Sequence, residues 1–219
     1  MTAKLDGPRL APASNKPAKQ LVVFLHGYGA DGNDLIGLGR EWARLLPDAA
    51  FVSPNAPEPI PGYFGGRQWF GLQTRSEHEW EEGVRRAHPV LEAFIVDEAA
   101  RAGLPMSAVA LVGFSQGTMM ALQVGLRLNE PIAAIVGFSG HLAGAKRLAA
   151  EIKSKPPVLL IHGAEDEVIP VAAIHAARSA LAVAGVSVQW QIRPGLGHSI
   201  DLEGLKAAGL FLRAAFGLA

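Results

Sequence analysis

Val109-Ala-Leu-Val-Gly113-Phe114-Ser115-Gln116-Gly117-Thr118-Met119-Met120 carries an uncharged, valine-rich run straight into a serine bracketed by glycines. The run reads as a strand buried on both faces, and Thr118 to Leu128, apolar nearly all round, reads as a helix sandwiched against a sheet. A serine caught between them sits on a sharp, strained turn with its side chain thrust out at the top of the sheet, and the glycines make room where strand and helix cross. The backbone N–H of Gln116, which starts the helix, points into the space where a tetrahedral oxyanion would form. With 25 glycines in the chain, the bare Gly-x-Ser-x-Gly pattern is only moderate evidence, so its surroundings must carry the reading.

Outward from this segment the same alternation continues. Short apolar runs at Leu21–Leu25, Ala50–Val52, Ile132–Phe138, Val158–Ile161 and Val186–Ile192 predict further strands. Between them, Leu35, Leu38, Trp42, Leu45 and Leu46 keep the spacing of one buried helix face up to Pro47, and Val84, Ala87, Leu91, Phe94 and Ile95 do the same up to Gly103. On the wet side of that second helix, Glu81–Arg85 and Glu82–Arg86 are spaced to pair. Pro170 and Gly185 bracket another helix, and a last one runs from Leu202 to Phe216. Alternating elements without a composition break predict one α/β domain over residues 1–219, a mostly parallel twisted sheet with helices on both faces. Residues 1–19 are expected to be extended or partly ordered. Pro54 to Leu72 is too rich in proline and glycine for regular structure; its Tyr63, Phe64, Trp69 and Phe70 either pin it to the core or line a site.

Composition excludes several classes. Twenty basic and 20 acidic residues leave no positive excess for a phosphate backbone, so nucleic acid is not an expected partner. The absence of cysteine removes disulfides, thiolate metal sites and a thiol nucleophile. The N-terminus lacks the apolar core of a secretory signal. Ala102 to Leu126 carries no formal charge, but its proline, glycines, serines and glutamines read as strand, turn and helix rather than as a membrane span.

A serine hydroxyl needs a base, and the base needs a carboxylate to hold its tautomer. In a strand–elbow–helix hydrolase the acid and then the histidine follow the serine, each past a strand end. Asp166 follows the strand at Val158–Ile161, and His198 follows the one ending near Ile192, at intervals of 51 and 32 residues that each fit a strand–helix unit. Glu165, Glu167 and Asp201 are rival acids. Gly137-Phe138-Ser139-Gly140-His141 is a decoy without the second bracketing glycine, and Ser139 is taken as a loop serine. His26 and His162 are expected to tie turns, and His141 to line a pocket. No histidine cluster has metal-ligand spacing, since His78-Glu79-Trp80-Glu81-Glu82 lacks a second histidine. The glycine-rich loop His26-Gly27-Tyr28-Gly29-Ala30-Asp31-Gly32 is the natural source of a second oxyanion donor, the Tyr28 N–H.

With these segments in view, the chain resembles the phospholipase/carboxylesterase family of small α/β-hydrolases, which includes the acyl-protein thioesterases. The likeness rests on Leu25-His26-Gly27-Tyr28-Gly29-Ala30-Asp31, Pro54-Asn55-Ala56-Pro57, Trp69-Phe70, Gly113 to Gly117, His162 to Pro170 and Gly195 to His198. It implies Ser115 as nucleophile, Asp166 as orienting acid, His198 as base, and the Tyr28 and Gln116 amides as oxyanion hole. It also implies a cytoplasmic, cofactor-free enzyme without a large lid domain that hydrolyses carboxylic esters and sometimes thioesters or lysophospholipids. Tyr28, Gly71 and Thr118 depart from the residues common at those places. The acyl wall is expected in the 54–72 loop, with Tyr63, Trp69 and Phe70 against a small ester or acyl substrate. The protein is expected as a monomer or homodimer without stable membrane insertion. The same triad would also serve an acyl-protein thioesterase or a lysophospholipase, and the same frame a binding module without turnover.

Overall fold

The computed structural model describes residues 4–218; Met1–Ala3 and Ala219, the ends of the stretch expected as one domain, lie outside it. Seven strands form one sheet: β1 (Arg9–Leu10), β2 (Gln20–Leu25), β3 (Ala49–Val52), β6 (Val109–Phe114), β7 (Ala134–Phe138), β8 (Val158–Gly163) and β9 (Val188–Arg193). Their order is β1-β3-β2-β6-β7-β8-β9, parallel throughout except for β1, which runs antiparallel to β3. Alternation along β2 explains how helices cover both faces. Leu21, Val23 and Leu25 pack into one apolar layer with α3 (Glu77–Ala102), α4 (Gln116–Gly125) and α6 (Ala172–Val183). Val22 and Phe24 point the other way, towards α1 (Gly32–Ile36), α2 (Leu38–Glu41) and α7 (Leu202–Ala215). A short α5 (Leu148–Glu151) precedes β8, and among the described residues no large lid interrupts this order.

Strand β2 has β3 on one side and β6 on the other, so the chain changes direction across the sheet between them. In such sheets the crevice at the carboxyl ends of the two strands is where ligands bind. The loop after β2 and the turn after β6 meet there.

Several local expectations are corrected. The helix expected from Leu35 to Leu46 is two short pieces, α1 and α2, joined at Gly37. The Glu81–Arg85 and Glu82–Arg86 pairs give way to longer-range partners: Glu81 meets Arg147, Arg85 meets Glu151 at 3.0 Å and Arg86 lies 3.9 Å from Glu58. Packing of α3 against neighbouring segments offers carboxylates better placed than those of its own turn. The loop over 54–72 is not devoid of regular structure either. Residues β4 (Glu58–Pro59) and β5 (Arg67–Gln68) pair antiparallel, reinforced by Gln68 Nε2 donating to Glu58 Oε2 at 3.1 Å. Ahead of α3, Ser76 caps the helix by accepting the Glu79 N–H, and Gly103 ends it at φ 68°, a left-handed value that suits glycine.

Candidate active site

Ser115 sits between β6 and α4 at φ 53°, ψ −116°, a backbone conformation costly for any residue with a side chain. The surroundings hold it there. Its N–H donates to the Phe138 carbonyl at 2.9 Å. A methyl group on Gly113 would overlap the backbone of Gly117, and one on Gly117 would overlap the Leu25 carbonyl, so strand and helix can approach only as glycines. Thr118, where a glycine would have left a gap, uses its hydroxyl to tie the turn: Oγ1 lies 2.8 Å from the Gly113 carbonyl and 2.9 Å from that of Phe138, sharing one hydrogen between them.

His198 Nδ1 is 2.8 Å from Asp166 Oδ2. That bond leaves Nε2 as the nitrogen available to a hydroxyl. The carboxylate is buried, and burial by itself favours the neutral acid. The His198 bond, together with the N–H groups of Ile169 and Val168 donating to Oδ1 at 2.8 and 2.9 Å, outweighs it and holds Asp166 below the usual carboxylate range. The rival acids are otherwise engaged or turned to solvent. Asp201 caps α7 by accepting the Gly204 N–H and pairs with Arg193 at 2.8 Å, while Glu165 and Glu167 are exposed.

Ser115 and His198 line one cleft of about 190 Å³ together with Gly27, Tyr28 and Gln116. The remaining wall is mainly apolar, from Leu72, Trp80, Phe114, Met119, Val168 and Ile169, with Arg75 as a charged exception. The loop after β2 is braced from the side: Gly29 N–H donates to the Arg67 carbonyl at 2.9 Å and Arg67 N–H to that of Ala30 at 3.0 Å. His26 ties its own turn, with Nδ1–H donating to the Gly27 carbonyl at 2.8 Å and Nε2 accepting the Ala56 N–H at 3.0 Å. His162 Nε2 binds the Ile169 carbonyl at 2.8 Å in the same manner.

Three residues expected at the acyl wall lie elsewhere. Trp69 and Phe70 are fully buried behind the cleft, where the Gln116 amide clamps them: its Oε1 accepts the Trp69 N–H at 2.9 Å and its Nε2 donates to the Phe70 carbonyl at 2.8 Å. Tyr63 is 60% exposed and outside the lining. Burying two large rings beneath the site stabilises the turn more than wetting them at its mouth would. Ser139 is less ordinary than its sequence suggests, since it shares the left-handed strain at φ 48°; burial separates it from Ser115, for it is 1% exposed and does not line the cleft. His141 lies 2.7 Å from Glu77, and its ring is tilted against Trp80 with centroids 4.8 Å apart, so it supports the lining from outside. Trp80 falls in a charged stretch that hides its apolar role, and Val168 and Ile169 follow the acid in a loop without the periodicity that marks a lining.

A parallel sheet covered on both faces, with a strained serine at its switch point, defines an α/β-hydrolase. The phospholipase/carboxylesterase family model matches residues 10–216, and the chain belongs to that family. It is 34% identical over 195 residues to esterase YpfH of Escherichia coli K12, covering 89% of this chain and 82% of that protein. It is 30% identical to acyl-protein thioesterase 1 of Gibberella zeae, over 95% of this chain and 97% of the relative. The crystal structure of esterase PE8 superposes with a TM-score of 0.93 at 48% identity, covering 97% and 99% of the two chains. Membership in this family of esterases and thioesterases implies hydrolase activity. Among the described residues, no helix is long and apolar enough to cross a membrane.

Proposed function

We propose that the protein is a serine hydrolase that cleaves carboxylic esters and thioesters through an acyl-enzyme. The observation that carries this is the buried Asp166 carboxylate 2.8 Å from His198, whose imidazole lines the same cleft as Ser115 at φ 53°. His198 Nε2 takes the proton of Ser115 Oγ as that oxygen attacks the acyl carbonyl. The resulting oxyanion is held by the Tyr28 and Gln116 N–H groups, and Asp166 stabilises the imidazolium. His198 then returns the proton to the departing alcohol or thiol, and water, deprotonated by the same imidazole, releases the acid and regenerates the serine.

The thioester arm is supported by the kinship with proteins named acyl-protein thioesterase, and chemically a thiol leaves more readily than an alcohol. The apolar wall of Leu72, Met119, Val168 and Ile169 suits an acyl chain. Ser115→Ala should leave a folded protein whose turnover of a 4-nitrophenyl ester and of an acyl thioester both fall by about 10³-fold or more. Labelling by a fluorophosphonate should vanish with it. Wild-type rates in that variant would remove the proposal. A frame that merely binds would not label in the wild type either.

A further inference from the structure

Away from Tyr28, Ser115, Gln116 and His198, the cleft wall is apolar except at one point, where Arg75 joins Leu72 and Trp80 in its lining. The residue is fixed in an unusual way. Its backbone lies at φ 52°, in the left-handed region. Three successive amides, those of Gln73, Thr74 and Arg75, converge on the Glu79 carboxylate at 2.6, 2.9 and 2.7 Å. Those amide bonds keep Glu79 below the usual carboxylate range and commit both of its oxygens to the loop. The neighbouring acids are also committed: Glu77 to His141 and to the Gly144 N–H, Glu81 to Arg147.

Among the described residues, no carboxylate lies within ion-pair distance of the Arg75 guanidinium, whereas Arg9, Arg85, Arg127, Arg147 and Arg193 each have one. An unpaired guanidinium on a braced loop, facing an otherwise uncharged wall, is a ready partner for a carboxylate or phosphate, which it can grip with two parallel N–H bonds. Resting on the serine-hydrolase reading above, we infer that Arg75 is a specificity residue that pairs with an anionic group carried by the substrate away from its reacting carbonyl. The anion can be borne by the acyl chain or by the leaving alcohol. The chemistry at Arg75 is the same for both. Because the guanidinium is exposed, water and salt screen it, and the preference it confers is modest.

Two matched pairs of substrates test this on the purified protein. The acyl arm compares the 4-nitrophenyl half-ester of adipic acid with 4-nitrophenyl hexanoate. The alcohol arm compares hexanoyl glycerol 3-phosphate with hexanoyl glycerol. The wild type should favour the anionic member of at least one pair, and Arg75→Gln should lower kcat/KM for that member about fivefold, through KM, while leaving the neutral member within about twofold. Arg75→Lys should retain part of the preference, and raising the salt to about 0.5 M should shrink it. Equal handling of both pairs by the wild type, or an equal loss on neutral and charged esters in Arg75→Gln, would overturn the inference. If neutral esters are still cleaved in a Ser115-dependent way, the failure is confined to Arg75. If no ester is cleaved through Ser115, the hydrolase reading fails first and takes this one with it.

Discussion

Asp166 divides its two oxygens between two tasks. Oδ1 accepts the Val168 and Ile169 N–H groups, while Oδ2 accepts from His198 Nδ1 and stands 3.3 Å from His162 Nε2. The first pair fixes the carboxylate plane and the second uses it. Asp166→Asn should keep the amide oxygen on the two backbone donors, which turns its NH₂ towards His198 and favours the tautomer with the proton on Nε2. That nitrogen could then no longer accept the serine proton. We expect kcat to drop by about 10³–10⁴-fold with little loss of unfolding free energy, as seen when a triad acid is made an amide. A variant retaining more than a tenth of wild-type kcat would show that the imidazole is held some other way. Order along the chain singled out Asp166, because the proposed acid has to follow a strand end. What sequence did not reveal is why Asp166 rather than Glu165 or Glu167 meets His198. Only the backbone shows that the 166 side chain turns inward under a loop whose amides are free to meet it.

At the scale of elements, the serine turn is a contact between β6, α4 and β7 in which bulk has been moved rather than removed. Thr118 fills the space over Gly137 and Gly140: a methyl on Gly137 would stand 2.5 Å from Thr118 Cγ2 and 3.2 Å from Leu160 Cδ2. Gly137→Ala should therefore destabilise the protein by about 1–3 kcal/mol, the usual effect of overpacking a tight core. Adding Thr118→Ser keeps the hydroxyl bonds but deletes Cγ2, and should recover roughly half or more of the loss. Urea midpoints of the two single variants and the double variant measure this coupling, and simple additivity would refute the contact. The central strands were readable because most are apolar on both faces, and α6 because Pro170 and Gly185 bracket it. The broken α1–α2 pair was not, since a buried face with helical spacing looks the same whether or not the helical hydrogen bonding is interrupted at Gly37. Likewise the β4–β5 ladder hid behind prolines and glycines that usually exclude regular structure. Its pairing depends on Arg67, whose side chain reaches the Ala56 and Pro57 carbonyls and whose backbone braces the loop after β2.

Across the whole molecule, buried titrating groups set how stability responds to pH. Burial pushes the His26 and His88 imidazoles below their ordinary values. The His26 ring is completely enclosed, and its Nε2 already accepts an amide proton, so a second proton would face a donor. In the unfolded chain both rings would titrate near the reference of about 6.5. As pH falls through that value, the unfolded state binds protons that the folded state refuses, so stability declines from neutral pH downward until the folded pKa values are reached. Each ring contributes at most about 1.4 kcal/mol per pH unit over that window. The depressed carboxyls of Asp166 and Asp201 act lower down: they add stability above about pH 4, lost as pH falls through their folded values. The expected profile therefore has two descents, one beginning as pH falls through about 6.5 and owed to imidazoles, the other below about pH 4 and owed to carboxylates. His26→Asn can keep both a donor and an acceptor near the same backbone groups while removing the titration. Urea unfolding of this variant and of His88→Gln between pH 7.5 and 5.5 should each give a flatter dependence than the wild type, whatever their stability at neutral pH. An unchanged slope in both would mean that the enclosed rings accept protons as readily in the fold as outside it.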